Sequence, residues 1–208
     1  MKDYLFLILL LLISCKKNEA RKEIIQKDET LDLKYEVLNQ LITDQIREDS
    51  INDILHDNIY NIAVKRIFFE ELNENEEPPP PPVLALNFSY DSIFAMKDSS
   101  YYKNQDRNLI NFHLQKSRIK NKLDFVTTDE ILNLSIKYER NFWKQFRKKY
   151  GDKCIQTFSV PFFNKNKTVC IVQNSMSCGR LYGGGSTSIY KKVNGKWVVL
   201  RTFDQWVS

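Results

Sequence analysis

The sequence predicts an α+β fold, in which an antiparallel sheet of four or more strands is covered by two long helices. Two stretches, beginning near residues 31 and 129, carry apolar side chains at helical spacing. From residue 153 to the C-terminus, runs rich in β-branched and aromatic residues alternate with turn sequences, as in strands joined by hairpins. Residues 31–208 are long enough for one domain and short for two, so we expect a single α+β domain.

The chain begins with features of an export signal. A positive start and a brief apolar run over residues 5–13 are typical of a secretory signal, and the run is too short to span a membrane. It ends in Leu12-Ile13-Ser14-Cys15, which resembles the lipobox of bacterial lipoproteins. The resemblance implies a signal peptide over Met1–Ser14, diacylglycerol on the Cys15 thiol, and acylation of the new amine by a fatty acid such as palmitate.

The expected location follows from this anchor. The lipid on Cys15 makes the membrane a partner, and polar residues 15–30 form a flexible tether that cannot build a core. Lys16 follows Cys15, which by analogy with lipoprotein sorting favours the outer membrane of the cell envelope.

The first helix is predicted from an amphipathic pattern. Its apolar stripe consists of Leu31, Tyr35, Leu38, Ile42 and Ile46. Charged residues such as Lys34 and Arg47 fall mostly off this stripe, and either Asp28 or Thr30 can cap the first turn. A one-sided helix of this kind is expected to cover one face of the sheet.

A strand and a proline-rich insertion come next. Residues 60–69 are rich in β-branched and aromatic side chains, which favours a strand. An acidic run and Pro78–Pro82 follow, so a proline-rich insertion loop is expected at about 70–82. Consecutive prolines form a stiff segment, which serves either as a ligand for an aromatic groove or, as we favour, as a rigid surface spacer.

The second long helix is predicted over about Asp129–Tyr150. Thr127 and Glu130 have the spacing of a capping box, and Gly151 is placed to end the helix in a left-handed conformation. Its apolar face consists of Ile131, Leu134, Tyr138, Phe142 and Phe146. Residues 91–115 have no such pattern, and we expect short helices or irregular packing there.

The C-terminal part predicts a sheet of four strands. They cover about 155–163, 168–175, 187–193 and 196–203. The first pair flanks a turn at 164–167, and the second flanks Asn194-Gly195, the strongest short-range hairpin signal. Residues 197–200 are apolar on both faces, which predicts a central strand.

The cysteines beyond Cys15 predict one disulfide in an oxidising compartment. If the turn at 164–167 is symmetric, Cys154 lies nearly opposite Cys178, and a one-residue bulge lets the two bond. Cys170 is then a buried thiol in mid-strand. Neither a Cys-x-x-Cys nor a His-x-x-x-His spacing occurs, so no metal site is expected.

Motifs in the last quarter of the chain carry a family resemblance. The first motif, Phe158–Lys165, contains Ser159-Val160-Pro161-Phe162. The other three are Cys178–Gly185, Asn194–Trp197 and Trp206–Ser208. This order resembles uncharacterised Bacteroidetes-type envelope lipoproteins, which have a Cys-Gly-x-Leu-Cys-Gly-x-Gly loop and an Asn-Gly-Lys-Trp hairpin. The second loop cysteine is Tyr182 here, which argues against chemistry at the loop. The resemblance implies no activity.

Composition and motifs favour binding over catalysis. The net charge of +5 is modest and scattered, so no nucleic-acid partner is expected. The Gly183–Gly185 run lacks the lysine of a phosphate loop, and no Gly-x-Ser-x-Gly elbow occurs. Ser159 or Ser177 would need a general base nearby to act as a nucleophile. The sequence therefore assigns no catalytic, cofactor-binding or metal-binding residue.

Two functional hypotheses remain open. The favoured one is a lipid-anchored, non-enzymatic envelope module that binds an envelope protein or polysaccharide. The alternative is a small-molecule-binding or hydrolytic domain with a pocket between helices and sheet, containing paired titratable groups such as His113 or Asp124.

Overall fold

The computed structural model describes residues 28–51, 57–66 and 93–208. The predicted signal peptide, Cys15, the predicted tether as far as residue 27, His56 and the proline-rich segment lie outside the described residues. No helix in the part described is long and apolar enough to cross a membrane.

The described residues form a mostly antiparallel six-stranded sheet in an α+β fold. The strands are β1 Asp57–Ala63, β2 Lys153–Ser159, β3 Phe162–Phe163, β4 Val169–Gly179, β5 Tyr182–Val193 and β6 Lys196–Val207. Their order is β1-β2-β4-β5-β6, with β3 beside β4. The predicted antiparallel sheet of four or more strands is confirmed for β2 to β6, and β1 joins it in parallel beside β2. The long connection from β1 to β2 carries helices, and such a crossover is what a parallel pair requires.

Four α-helices lie in the described part of the chain. They are α1 Leu31–Ile51, α2 Ser99–Ile110, α3 Thr128–Tyr138 and α4 Phe142–Tyr150. The first long helix is confirmed as α1, and the irregular region before residue 115 contains α2. Short 3-10 turns precede α2, follow it at Lys116–Arg118, and separate α3 from α4.

Helix α1 covers one face of the sheet. Its buried Leu38 and Ile42 pack in one cluster with Phe158, Phe163 and Trp197 from the strands. Lys34 departs from the prediction, because its side chain is fully buried and its Nζ lies 2.6 Å from Asp28 Oδ2. An ion pair satisfies a charge that burial would otherwise penalise.

The opposite face is covered in two separate places. At one end, Tyr102 and Leu109 of α2 pack on Ile171 and Ile189. At the other end, α3 and α4 pack on β1 and β2 through a cluster that consists of Ile59, Val126, Phe146 and Ile155, with Ile131, Leu134, Phe142, Trp143 and Tyr150 partly buried around it.

The second long helix is not continuous, contrary to the prediction. Glu139 has a φ of 33°, and a 3-10 turn at Glu139–Asn141 separates α3 from α4. Tyr150 Oη donates to Glu130 Oε1 at 3.1 Å. In a straight helix these residues would be about 30 Å apart along the axis. The two halves therefore fold back on each other as a helical hairpin, which brings both onto the sheet.

The predicted helix ends are confirmed. Thr127 and Glu130 form a complete capping box, in which each side chain accepts a hydrogen bond from the backbone N–H of the other. Gly151 ends α4 as predicted, and its N–H donates to Arg147 O. Its φ of 85° favours glycine, but its ψ of −172° lies outside the left-handed helical conformation that the sequence predicts.

The two predicted hairpin turns are also confirmed. Asn164 Oδ1 accepts from the backbone N–H of Thr168 and Val169 at 3.0 Å each, which closes the turn before β4. Asn194 and Gly195 have φ values of 49° and 79°, as a two-residue turn requires. The predicted strand over 155–163 is interrupted, since Pro161 lies between β2 and β3.

Strand β6 lies at an edge of the sheet, so the prediction that residues 197–200 are central is wrong. Trp197 alone of these four is buried, beneath α1, while Val199 and Leu200 are 57% and 52% exposed. The Gln40 side chain of α1 bonds both backbone groups of Trp197, at 2.7 and 2.8 Å. Residues 197–200 are apolar because valine and tryptophan favour strands and because Trp197 is buried, and not because both faces of β6 are covered.

Candidate functional site: a cleft between the helical hairpin and the sheet

A cleft of about 380 Å³ opens between the α3–α4 hairpin and the sheet face opposite α1. Ligand pockets commonly measure ~300–1,000 Å³, so this volume suits a small ligand or one end of a larger one. The cleft exists because α2 and α3–α4 cover different ends of this face and leave part of the strands open.

The floor of the cleft is a row of small polar side chains. Asn61 of β1 pairs in register with Thr157 of β2, which pairs with Ser175 of β4. In the next row Ile155 pairs with Ser177. Residues paired across neighbouring strands point to the same side of the sheet, so the three strands present hydroxyl and amide groups together.

The amide of Asn61 is held in a fixed orientation. Its side chain is buried, and Nδ2 donates to Val126 O at 3.0 Å and to Thr128 Oγ1 at 3.2 Å. Thr128 is the first residue of α3 and also lines the cleft. These bonds tie the start of α3 to β1, and they fix one corner of the site.

Aromatic and aliphatic side chains form the walls. Helix α3 contributes Ile131, Leu132 and Ser135, and α4 contributes Phe142 and Trp143. The Trp143 ring meets Phe142 and Phe146 edge-on, at centroid distances of 5.2 and 5.4 Å. Phe146 is fully buried. Trp143 is therefore anchored to the core while part of its ring remains open to the cleft.

Lys65, just after β1, gives the cleft its charge. It is the one ionisable side chain among the described residues that line the cleft, and no described residue pairs with its ammonium group. The neighbouring Arg66 is engaged elsewhere, because Nη2 donates to Asp106 Oδ2 at 2.6 Å. That hydrogen bond raises the pKa of Arg66. A positive charge at an otherwise neutral cleft favours an anionic group in the ligand.

Glycines in β5 extend the open face toward the free edge of the sheet. Gly185 pairs with Ser175 on one side and Trp206 on the other. A Cβ at residue 185 would lie 2.7 Å from Trp206 Nε1 and 2.8 Å from both Asn174 O and Ser175 Cβ. Only a glycine allows this close approach, which places the indole of Trp206 beside the floor of the cleft.

The loop that the family resemblance implies over Cys178–Gly185 is only a two-residue turn in the structure. Arg180 and Leu181 form a tight turn between β4 and β5, and Gly183–Gly185 lie inside the longer strand β5. Three consecutive glycines in a sequence usually indicate a turn or loop. Here they belong to β5, where the absence of a side chain allows close packing.

A disulfide joins Cys154 to Cys178, in the two strands that carry most of the floor, on the face of the sheet opposite the cleft. The register of β2 and β4 places the two residues directly opposite each other, with their Cα atoms 4.2 Å apart. The bond therefore connects the two strands that carry Thr157 and Ser175. Cys170 is a buried free thiol, and burial raises its pKa well above the ordinary value.

Of the remaining candidate residues, Ser177 lines the cleft, whereas His113, Asp124 and Ser159 do not. His113 is exposed beyond α2 and does not line the cleft. Asp124 is exposed, and its hydrogen bond from Lys153 Nζ at 2.7 Å lowers its pKa. The Ser159 hydroxyl is not in the cleft lining, and its Oγ accepts a hydrogen bond from Gln173 N at 2.8 Å. The Ser177 side chain lines the cleft. The described residues contain no group of three or more His, Cys, Asp or Glu side chains able to hold a metal ion.

Sequence reasoning missed most of the floor. Asn61, Thr157 and Ser175 were not singled out, because isolated hydroxyl and amide residues in strands are common. One sequence feature points to the floor. Thr157 lies two residues after Ile155 and therefore on the same face of β2, and a polar residue on a face that helices cover indicates that this part of the face is open.

No protein-family model, no curated protein and no solved structure matches this chain. Function is therefore inferred from the chemistry and geometry of the site itself.

Proposed function

We propose that this chain is a lipid-anchored cell-envelope protein that acts as a binding module and holds its ligand in the cleft between the α3–α4 hairpin and the sheet. The observation that carries the proposal is the cleft lining, in which hydroxyl and amide groups from three strands and an anchored tryptophan line the same cleft. A few fixed polar groups with an aromatic wall are the usual composition of a binding site.

A hydrolytic domain is the weaker candidate. General acid–base catalysis needs a positioned acid and base within hydrogen-bond reach of the substrate. The described lining offers Lys65 alone as an ionisable group, and neither His113 nor Asp124 reaches the cleft. A binding role uses the groups that are present.

The anchor is tested at Cys15. We expect Cys15→Ala to abolish incorporation of an alkyne-labelled palmitate and to release the chain from the membrane fraction. Ser14→Ala is the matched control, because alanine keeps a small residue before the cysteine, and it should remain labelled. Labelling of the Cys15→Ala chain would contradict the proposed anchor.

The cleft is tested by photo-crosslinking in cells with the full chain. A photoreactive amino acid replaces either Leu132, which lines the cleft and is 51% exposed, or Leu200, which is 52% exposed on the edge strand β6. We expect a discrete adduct of an envelope component from position 132 and none from position 200. Capture from position 200 alone would instead make the edge of the sheet the interaction surface.

A further inference from the structure

We infer that the cleft takes a carboxylate-bearing saccharide, an acidic sugar unit such as a hexuronic acid. This inference rests on the proposed function, because it names the class of ligand for the same site. Three features of the cleft carry it: the ammonium group of Lys65, the hydroxyl row on the floor, and the indole of Trp143.

The charge of Lys65 selects for an acid. Lys65 is a half-buried residue just after β1, and the described residues that line the cleft with it include no other ionisable group. A hydrogen bond between an ammonium and a carboxylate is stronger than one between neutral groups. A neutral ligand would leave this charge without a partner.

The floor selects for a ligand rich in hydroxyl groups. Thr157, Ser175 and Ser177 lie on neighbouring strands, and each hydroxyl can both donate and accept. Adjacent strands are about 4.8 Å apart, a spacing comparable to that of equatorial hydroxyl groups on alternate carbons of a sugar ring. A purely apolar ligand would displace the water bound to these hydroxyl groups and would offer no hydrogen bonds in its place.

Trp143 selects for a ring with an apolar face. Phe142 and Phe146 pack against the indole, and Arg147 Cζ lies 5.7 Å from its ring centroid, so these neighbours fix the indole. A ligand that contacts the exposed part of the ring therefore immobilises few additional rotatable bonds. A pyranose ring combines an apolar C–H face with equatorial hydroxyl groups. The combination of indole, hydroxyls and one ammonium group therefore matches an acidic sugar better than a fatty acid or a peptide.

The inference is tested by calorimetric titration of the full chain in detergent. The probes are disaccharides containing glucuronic or galacturonic acid and the matched neutral disaccharides of glucose or galactose. We expect the acidic probes to bind about tenfold more tightly than their neutral counterparts. Lys65→Gln should remove this preference, Lys65→Arg should retain it, and Thr157→Val should weaken both classes of probe.

The outcomes separate this inference from the proposed function. Equal binding of neutral and acidic probes, unchanged in Lys65→Gln, would overturn the acidic class and leave a neutral saccharide site. Failure of every saccharide to bind, together with capture from position 132 in cells, would overturn the saccharide inference and leave the cleft as a binding site. Failure of both measurements would overturn both proposals.

Discussion

The two faces of the sheet are closed in different ways. One face lies beneath the single helix α1, whose apolar stripe forms one cluster with side chains from all six strands. The other face is covered by α2 at one end and by the α3–α4 hairpin at the other, with a cleft beside the hairpin. The face beneath α1 therefore contributes mainly to the stability of the fold, and the opposite face carries the candidate site.

Strand β2 shows how one segment serves both faces. Its alternate residues Gln156 and Phe158 are buried toward α1, while Ile155 and Thr157 face the hairpin and the cleft. Since side chains alternate across a strand, a polar residue can reach the open face without disturbing the packed one. Substitutions at neighbouring positions should therefore have very different effects.

The largest expected effect is in the packed face. Leu38→Ala removes a fully buried side chain from α1 and should lower the free energy of unfolding by about 2–5 kcal/mol. Thr157→Ala in the cleft floor should cost less than about 0.5 kcal/mol, as at a surface position. Urea denaturation of both variants measures the contrast, and equal losses would contradict the division between the faces.

The disulfide should give the next largest effect. Replacing both Cys154 and Cys178 by Ala should lower stability by about 3 kcal/mol, because the bond closes a loop between residues 24 apart in sequence. Thermal denaturation with and without reductant measures this. Reductant should lower the melting temperature of the wild type and leave the double variant unchanged; sensitivity of the double variant would contradict the assignment.

How far the sequence predicts this architecture depends on the kind of signal. The stripe of α1, the Thr127–Glu130 capping box and the Asn194-Gly195 turn are local patterns, and all three are confirmed. The parallel pairing of β1 depends on contacts distant in sequence, and no local pattern encodes it. The sequence also does not reveal the break in the helix at Glu139, because the helical spacing of apolar residues continues on both sides of it.

The site was harder to predict for a related reason. The location suggested for a pocket, between helices and sheet, is where the cleft lies, but its suggested residues His113 and Asp124 are not there. The row of Asn61, Thr157 and Ser175 is assembled by strand register, which joins residues more than a hundred positions apart. Register on this scale cannot be read from spacing along one chain.

A smaller effect is expected where β5 approaches Trp206. Gly185→Ala places a methyl group within 3 Å of three atoms and should cost about 1–3 kcal/mol while displacing the indole. Gly179→Ala is the matched control, because its nearest neighbour, Arg147 Nη2, would be 3.9 Å away. Melting temperature and tryptophan fluorescence report the two changes. A Gly185→Ala chain with wild-type values for both would contradict the close approach.

The smallest effect concerns the start of α3 and depends on pH. The backbone N–H of Thr127 holds the pKa of Glu130 at about 2, below the ordinary value of 4.5, with further help from Lys149. Because the folded-state pKa is lowered, the carboxylate stabilises the fold above about pH 4.5, and this stabilisation is lost as pH falls toward about 2. Glu130→Gln should flatten the loss of stability in that window, and an unchanged slope in acid denaturation would count against the capping role.

The central claim, that the ligand lies in the cleft on the open face, is tested most directly by filling the cleft. Ser135 is an exposed residue of α3 that lines it, and Ser117 is an exposed residue of the 3-10 turn near α1. Photo-crosslinking from position 132 is compared in chains that carry Ser135→Trp or Ser117→Trp. We predict that Ser135→Trp abolishes capture at an unchanged melting temperature and that Ser117→Trp preserves it. Equal capture by the two chains would contradict the assignment of the cleft as the binding site.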